Sequence, residues 1–393
     1  MSSANPSVAG GNVTFTASVT GLAPTGSVNF TNGGTSITGC SAVALTGSGN
    51  TRTAACTTNT LAAGTRSIVA AYSGNATNAA SASATLSQVV HVSPFGAVTL
   101  ASTDFTGDRK TDIVLDNGVG SRLLYTMNGM TVLTSAPLPG AAPGWVLAGI
   151  GDFNGDGKAD LLWQNTADPM QFWIYLMNGT TITGSGPVNV AAGYLPTQIG
   201  DFDGNGKDDI LWENAAGARW IYFMNGISIA SAMQAPAAAT GWVVVGAGDF
   251  NGDGKVDLLW QNTANPTQFW IYLLNGATVI GGGPVNVASG YVPTQIAGFD
   301  GDGKADILWE NGTASPWIFF MNGASTISAH AAPSTAAGWA IAGAGDFNGD
   351  GKADLLLKNT ANPTQLWIYL MSGATVTGSG SVTGAPGYLP MAH

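Results

Sequence analysis

The sequence predicts an all-β chain: a β-sandwich over residues 1–93, then a β-propeller of six four-stranded blades over residues 94–393. Three observations carry this. Short runs of period-two alternation, separated by Asn/Gly/Ser turns, fill the first ninety residues. A nine-residue phrase, complete at Asp152-Phe153-Asn154-Gly155-Asp156-Gly157-Lys158-Ala159-Asp160, then occurs six times. Its copies start at Asp104, Asp152, Asp201, Asp249, Gly298 and Asp346, in steps of 48 or 49 residues. A period of that size marks stacked supersecondary units.

In the first block, Val13–Val19, Ser27–Phe30 and Ser67–Tyr72 alternate as half-buried strands do. Asn32-Gly33-Gly34, Gly47-Ser48-Gly49-Asn50 and Ser73-Gly74-Asn75 supply the turns between them. Several such strands in so short a stretch argue for a sandwich. Cys40 and Cys56, the only two cysteines, lie sixteen residues apart beside strand-like segments. They read as one disulfide of an exported domain, with two unpaired buried thiols as the alternative. The segments Asn5-Pro6-Ser7-Val8-Ala9-Gly10, Val13–Ala17, Leu61-Ala62-Ala63-Gly64-Thr65 and Ala71-Tyr72-Ser73-Gly74-Asn75 together resemble a bacterial Ig-like repeat. The resemblance covers about residues 4–90 and implies a spacer or adhesive module. Asn75 stands where that family often has an acid.

Each unit of the second block holds four short β-like runs. In one of them these are Trp145–Ile150, Asp160–Trp163, Phe172–Met177 and Thr180–Thr183. Asn178-Gly179 separates the last two, and Asn-Gly suits the positive φ angles of a tight hairpin. The pair recurs at Asn128, Asn225, Asn275 and Asn322, with Ser372-Gly373 in the last unit. Four antiparallel strands per unit, repeated six times, describe a propeller. Seven blades, one of them degenerate, is the alternative. Trp163-Gln164-Asn165 returns at Trp260, and Leu211-Trp212-Glu213 returns at Leu308, so blades alternate between two types. The tail Gly387-Tyr388-Leu389-Pro390 copies the lead-in Gly193-Tyr194-Leu195-Pro196, which the first blade lacks. The tail is therefore expected to close the ring against the first blade.

Charge concentrates in the phrase. None of the 23 acidic residues precedes Asp104, and 19 of them lie inside the six copies, leaving only Asp116, Asp168, Glu213 and Glu310 outside. With 12 basic residues and a net charge of −11, no basic patch exists for nucleic acid. No run approaches the eighteen apolar residues that a membrane-spanning helix needs. Met1-Ser2-Ser3 has neither a basic nor an apolar leader region, so an exported protein would have lost its signal peptide. The expected context is extracellular, secreted or at the cell surface, as a monomer or a fragment of a larger chain.

Within the phrase, oxygen-bearing side chains at positions 1, 3, 5 and 9 surround a glycine turn at position 6. Position 7 offers a backbone carbonyl. A hard cation such as Ca²⁺, which takes six to eight oxygens, needs such a set. Four copies are complete: Asp152, Asn154, Asp156, Lys158 and Asp160; Asp201, Asp203, Asn205, Lys207 and Asp209; Asp249, Asn251, Asp253, Lys255 and Asp257; Asp346, Asn348, Asp350, Lys352 and Asp354. The fifth keeps Asp300, Asp302, Lys304 and Asp306, but Gly298 replaces its first acid. The first keeps Asp104, Asp108 and Asp112, with Thr106 and Arg109 in place of the ligand and the turn glycine. The phrase resembles the calcium loop of FG-GAP/VCBS-type repeats, as in integrin α-subunits. That resemblance spans about 290 residues and implies four to six structural calcium ions.

The repeated tryptophans read as packing residues. They fall at Trp163, Trp212, Trp260 and Trp309, and again at Trp173, Trp220, Trp270, Trp317 and Trp367. Trp145, Tyr194, Trp242, Tyr291 and Trp339, at the unit boundaries, are the better candidates for stacking on a sugar. His91, His330 and His393 form no repeated constellation, and no nucleophile elbow, zinc motif or phosphate loop occurs. The expected function is a binding or adhesion module for a glycan or a surface protein, without catalysis. The alternatives are a secreted polysaccharide lyase or hydrolase, or its accessory domain, and a structural spacer in a larger surface protein.

Overall fold

A computed structural model of the chain describes residues 1–3, 7–8, 13–58, 60–61, 64–91, 103–117, 120–237, 239–312, 316–362 and 364–391. Asn5-Pro6, Ala9-Gly10, Ala62-Ala63, His393 and the expected start of the repeat array near residue 97 lie outside these. The chain divides into two compact units, Met1–Ser93 and Pro94–His393.

The first unit is a sandwich. One sheet runs in the order Ser7–Val8, Leu86–His91, Gly64–Tyr72, Ser27–Asn32, Thr35–Ser36, with Val43–Ala44 and Ser81–Ala82 paired to its inner strands. The other pairs Val13–Thr20 with Thr51–Thr58. Alternation follows the pleat, so Val13 and Phe15 from one sheet meet Val28, Phe30, Ile68 and Tyr72 from the other. Cys40 and Cys56 are joined. The bridge ties the sheets together, because Phe30 N–H donates to the Cys40 carbonyl while Cys56 lies in the opposite sheet. Asn75 does the work expected of an acid: its Oδ1 accepts from the amides of Thr77 at 3.0 Å and Asn78 at 2.7 Å. Replacing both cysteines by alanine reopens a sixteen-residue loop in the unfolded chain and should cost the sandwich about 3 kcal/mol. Denaturant titration should show its transition move alone. A shift in the propeller transition instead would contradict this.

The second unit holds six four-stranded antiparallel sheets among the described residues. Blade 2 is Trp145–Gly151, Asp160–Asn165, Gln171–Asn178 and Thr181–Asn189. Blade 3 is Tyr194–Gly200, Asp209–Asn214, Arg219–Asn225 and Ser228–Gln234. Blades 4, 5 and 6 repeat the pattern from Trp242, Val292 and Trp339. First strands of successive blades touch one another, which sets them around the axis. Blade 1 has Ile113–Asp116, Arg122–Asn128 and Thr131–Leu138, and its innermost strand is the tail, Leu389–Pro390. Leu389 pairs with Asp116 and Pro390 with Leu115, as Leu195 pairs with Glu213 and Pro196 with Trp212 in blade 3. The tail copies the blade 3 lead-in because it performs the same job.

Second strands such as Asp160-Leu161-Leu162-Trp163 are buried on both faces, since each blade is covered by its neighbours. Two kinds of contact alternate between blades. From blade 2 to 3 and from 4 to 5, Phe172 meets Trp212 and Phe269 meets Trp309 edge-on, with centroids 4.7 Å apart. From blade 1 to 2 and from 3 to 4, Arg122 lies 5.0 Å over Trp163 and Arg219 lies 4.7 Å over Trp260. Asp116 and Glu213 hold these guanidiniums in place. From blade 5 to 6 both halves of the clamp change together: Pro316 replaces the arginine and Leu357 the tryptophan.

The tryptophans divide into two classes. Trp163, Trp212, Trp260 and Trp309 are fully buried. The third-strand set splits: Trp173 and Trp367 pack against core clusters as expected, and the other three depart from that role. Trp220, Trp270 and Trp317 are 37–38% exposed.

Candidate functional site

Each nine-residue phrase forms the loop between a blade's first and second strands, and its geometry follows from one repeated set of hydrogen bonds. In blade 2, Asp152 Oδ1 accepts from the amides of Gly155 at 2.7 Å and Asp156 at 3.2 Å, and its Oδ2 from Gly157 at 2.7 Å. Asn154 accepts from Asp156, and Asp156 accepts from Lys158. Asp160 is fully buried. Its Oδ2 accepts from Phe153 and its Oδ1 reaches across to the amide of Met177 on the third strand. The loops at Asp201, Asp249 and Asp346 repeat the position-1 and position-9 bonds. The side chains at positions 1, 3 and 5 are thus pinned to the loop's own amides, and the one at position 9 ties the loop to the third strand. In blade 3, carboxylate oxygens of Asp201, Asp203 and Asp209 all lie within 4.8 Å of one another.

Burial pushes the position-9 acids upward, to about 8 for Asp160 and Asp209 and about 7 for Asp112, Asp257, Asp306 and Asp354. Asp152 and Asp201 move the same way for the same reason. Clustered, desolvated carboxylates resist ionisation unless a positive charge joins them. The donors are all oxygen, which suits a hard divalent cation.

The loops also form a ring. The position-1 carbonyl of each accepts from the position-8 amide of the next, from Ala159 to Asp104 at 2.7 Å round to Thr111 and Asp346 at 2.7 Å. The phenylalanine carbonyl accepts from the hairpin glycine of the next blade, as Phe105 does from Gly179 and Phe347 from Gly129. Each position-7 lysine lays its stem over the position-4 glycine of the loop before. A Cβ on Gly155 would sit 3.0 Å from Lys207 Cγ. These lysines were expected to contribute carbonyls, and their stems are an inter-blade packing element that only the folded ring makes visible. Asp208, at position 8 and outside the expected donor set, accepts from the Asp152 amide at 2.7 Å and joins the same ring.

The two deficient loops share one feature. In the first, Lys110 Nζ lies 3.1 Å from Asp108, and in the fifth, Lys304 Nζ lies 2.7 Å from Asp302. In the first loop, Thr106 donates its hydroxyl to Asp104 and Arg109 takes φ 64°. The equivalent residues elsewhere are glycines with φ 78–84°. A left-handed non-glycine residue costs about 1–2 kcal/mol. Arg109→Gly should therefore raise the propeller's stability by about 1 kcal/mol, read from its melting temperature. A lower melting temperature would show that Arg109 supplies contacts worth more than the strain.

A model of a bacterial Ig-like domain (group 3) matches residues 1–91. A model of an FG-GAP-like repeat matches residues 104–163, 152–212, 201–260 and 298–357, and one of an FG-GAP repeat matches 337–383. The chain belongs to the FG-GAP repeat family. In this FG-GAP protein the four FG-GAP-like matches each run from one nine-residue loop through the next, and the match at 337–383 holds the last loop. No curated protein matches the chain. Among solved structures, it resembles a dihydro-heme d1 dehydrogenase, NirN, in complex with DHE (TM-score 0.39, 10% identity, 70% of this chain and 54% of that one). The FG-GAP protein thus spans about half of NirN's length. It also resembles Raptor of Chaetomium thermophilum (TM-score 0.43, 9% identity, 76% and 25%) and the C-terminal WD40 domain of Sif2 (0.33, 10%, 74% and 73%).

Proposed function

We propose that this FG-GAP protein is an exported binding or adhesion module whose propeller is held rigid by calcium. The observation that carries this reading is the set of oxygen-rich loops, repeated blade after blade and hydrogen-bonded into one ring. Calcium bound there would neutralise carboxylates that otherwise repel one another, and its role is structural. The loops at Asp152, Asp201, Asp249 and Asp346 have the full donor set to hold it. The loops at Asp104 and Gly298 carry a lysine that already pairs with the position-5 acid. The disulfide supports an oxidising, extracellular setting, and among the described residues no helix is long and apolar enough to cross a membrane.

The opposite end of the propeller, where second strands turn into third strands, carries the half-exposed tryptophans and is the binding face. A glycan is the first ligand class for it and a surface protein the second. Binding fits better than catalysis: Glu213 and Glu310 are equivalent second-strand residues of two separate blades, and Glu213 is held by Arg219 at 2.6 and 2.9 Å. A glycan array probed with calcium and again after chelation tests the reading. Binding in calcium that is lost with the metal supports it. Hydrolysis or cleavage of any arrayed glycan would replace it with an enzyme.

A further inference from the structure

A cavity of about 280 Å³ opens at that end of blade 3, lined by Val190, Ala191, Tyr194, Trp212, Trp220, Tyr222 and Ala232. Its walls follow from strand register. Trp212 pairs directly with Trp220, and Tyr222 lies two residues further along the same strand, so all three side chains leave the same face of the sheet. Tyr194 lies two residues before Pro196, the partner of Trp212, and joins that face. The Trp212 and Tyr222 rings stand 5.6 Å apart at 53°, so two of the walls converge at an angle. Trp220 is 38% exposed and Trp212 is buried, which gives the cavity an outer wall and a floor.

The polar inventory of this cavity decides its ligand. Among the lining residues there is no Asp, Glu, Lys, Arg, Asn, Gln, Ser or Thr; the two tyrosine hydroxyls can donate and accept, and the indole N–H groups of Trp212, buried without a protein partner, and Trp220 can only donate. A sugar ring buried there would leave most of its hydroxyls unpaired, which is costly. A quaternary ammonium has no N–H to satisfy, and its charge is attracted by the negative faces of aromatic rings. No cation of the protein competes. Arg219, next to Trp220 in sequence, projects from the other face of the strand, where it is paired with Glu213 over Trp260.

We propose that the blade 3 cavity binds a small quaternary ammonium group, such as the trimethylammonium end of a larger molecule. This deepens the adhesion reading by assigning a ligand to one cavity of the proposed binding face, and it does not depend on calcium, because the cavity lies at the far end from the acidic loops. The test titrates the full chain, in calcium, with choline, with its neutral carbon isostere 3,3-dimethylbutan-1-ol, and with N-acetylglucosamine, following tryptophan fluorescence. Choline is expected to bind about tenfold or more tighter than the isostere, as cation–π attraction in a desolvated site requires. Trp220→Ala should abolish the response. Tyr222→Phe should leave it nearly unchanged; blade 5 carries Phe319 at that position, so the fold accepts the change. Ala232→Trp, which fills the cavity, provides a second blocking variant should Trp220→Ala fold poorly. Equal binding of choline and the isostere, preferential binding of N-acetylglucosamine, loss of choline binding in Tyr222→Phe, or no response to choline in the parent chain would each overturn the proposal.

Discussion

Removing divalent cations should lower the melting temperature of the propeller steeply while leaving the sandwich transition where it was. The acidic residues all lie in the propeller, so only that unit has an electrostatic penalty to expose. A ligand present at a hundred times its Kd stabilises by about 2.7 kcal/mol per site. Four complete loops would then contribute on the order of 10 kcal/mol, or roughly 20 °C for a unit of this size. The effect should depend on pH in a definite direction. In the metal-free protein, burial raises the position-9 carboxyls to about 7 or 8, well above their ordinary value of 3.8. The folded state thus holds more protons than the unfolded one across that interval. Their contribution to stability is complete below about pH 4 and is lost as the pH rises through 7 to 8. Metal-free propeller should therefore melt lower at pH 8.5 than at pH 6. Calcium favours the ionised carboxylates, so the gap between metal-bound and metal-free melting should widen over the same interval. Calorimetry of dialysed protein, with and without added calcium at both pH values, measures this. A propeller transition that ignores the metal at pH 8.5 would remove calcium from the account.

The blade count, the closing tail and the disulfide were legible in the sequence because each is written as a repetition or a pair. Stacked blades reuse one plan, so the phrase returns at every step, the Asn-Gly turn in five of the six blades and the buried tryptophan in four. Ring closure was legible for the same reason, since Tyr388-Leu389-Pro390 copies a lead-in that one blade lacks. What stayed hidden depends on depth and on contacts between units. Trp173 and Trp220 follow the same period as Trp163 and Trp212. Periodicity fixes which face a side chain leaves but not how far the neighbouring blade extends over it, so it does not separate Trp173, packed against a core cluster, from Trp220, 38% exposed. The arginine clamp also escaped notice. Arg219 and Trp260 are forty-one positions apart in different blades, and only strand register brings them to 4.7 Å. The lysine stems leave no sequence signal, because each packs on a glycine of the neighbouring loop about fifty residues away.

Deleting residues 387–393 should open the ring. Blade 1 would lose its innermost strand, with the pairing of Leu389 to Asp116 and Pro390 to Leu115 and the hydrogen bond from Met391 N–H to the Val114 carbonyl at 2.9 Å. It would also lose Tyr388, packed in the cluster around Leu115 and Leu366, and Met391, packed in the one around Val114 and Leu161. Losing two such side chains and a strand's hydrogen bonds amounts to about 5 kcal/mol. Two backbone hydrogen bonds between blades 6 and 1 survive, Thr111 N–H to the Asp346 carbonyl and Gly129 N–H to Phe347, along with the Lys110 stem over Gly349 and the shared core cluster. The shortened propeller should therefore still fold, melt roughly 10 °C lower, and exchange the amides of Ile113–Asp116 much faster than those of the matching strands in blades 3 and 5. The newly bared edge is also a template for pairing between molecules, so the shortened chain should self-associate as its concentration rises. Hydrogen exchange and sedimentation on the two forms decide the matter. Unchanged melting and unchanged protection of Ile113–Asp116 would mean that the tail is not what holds the ring shut.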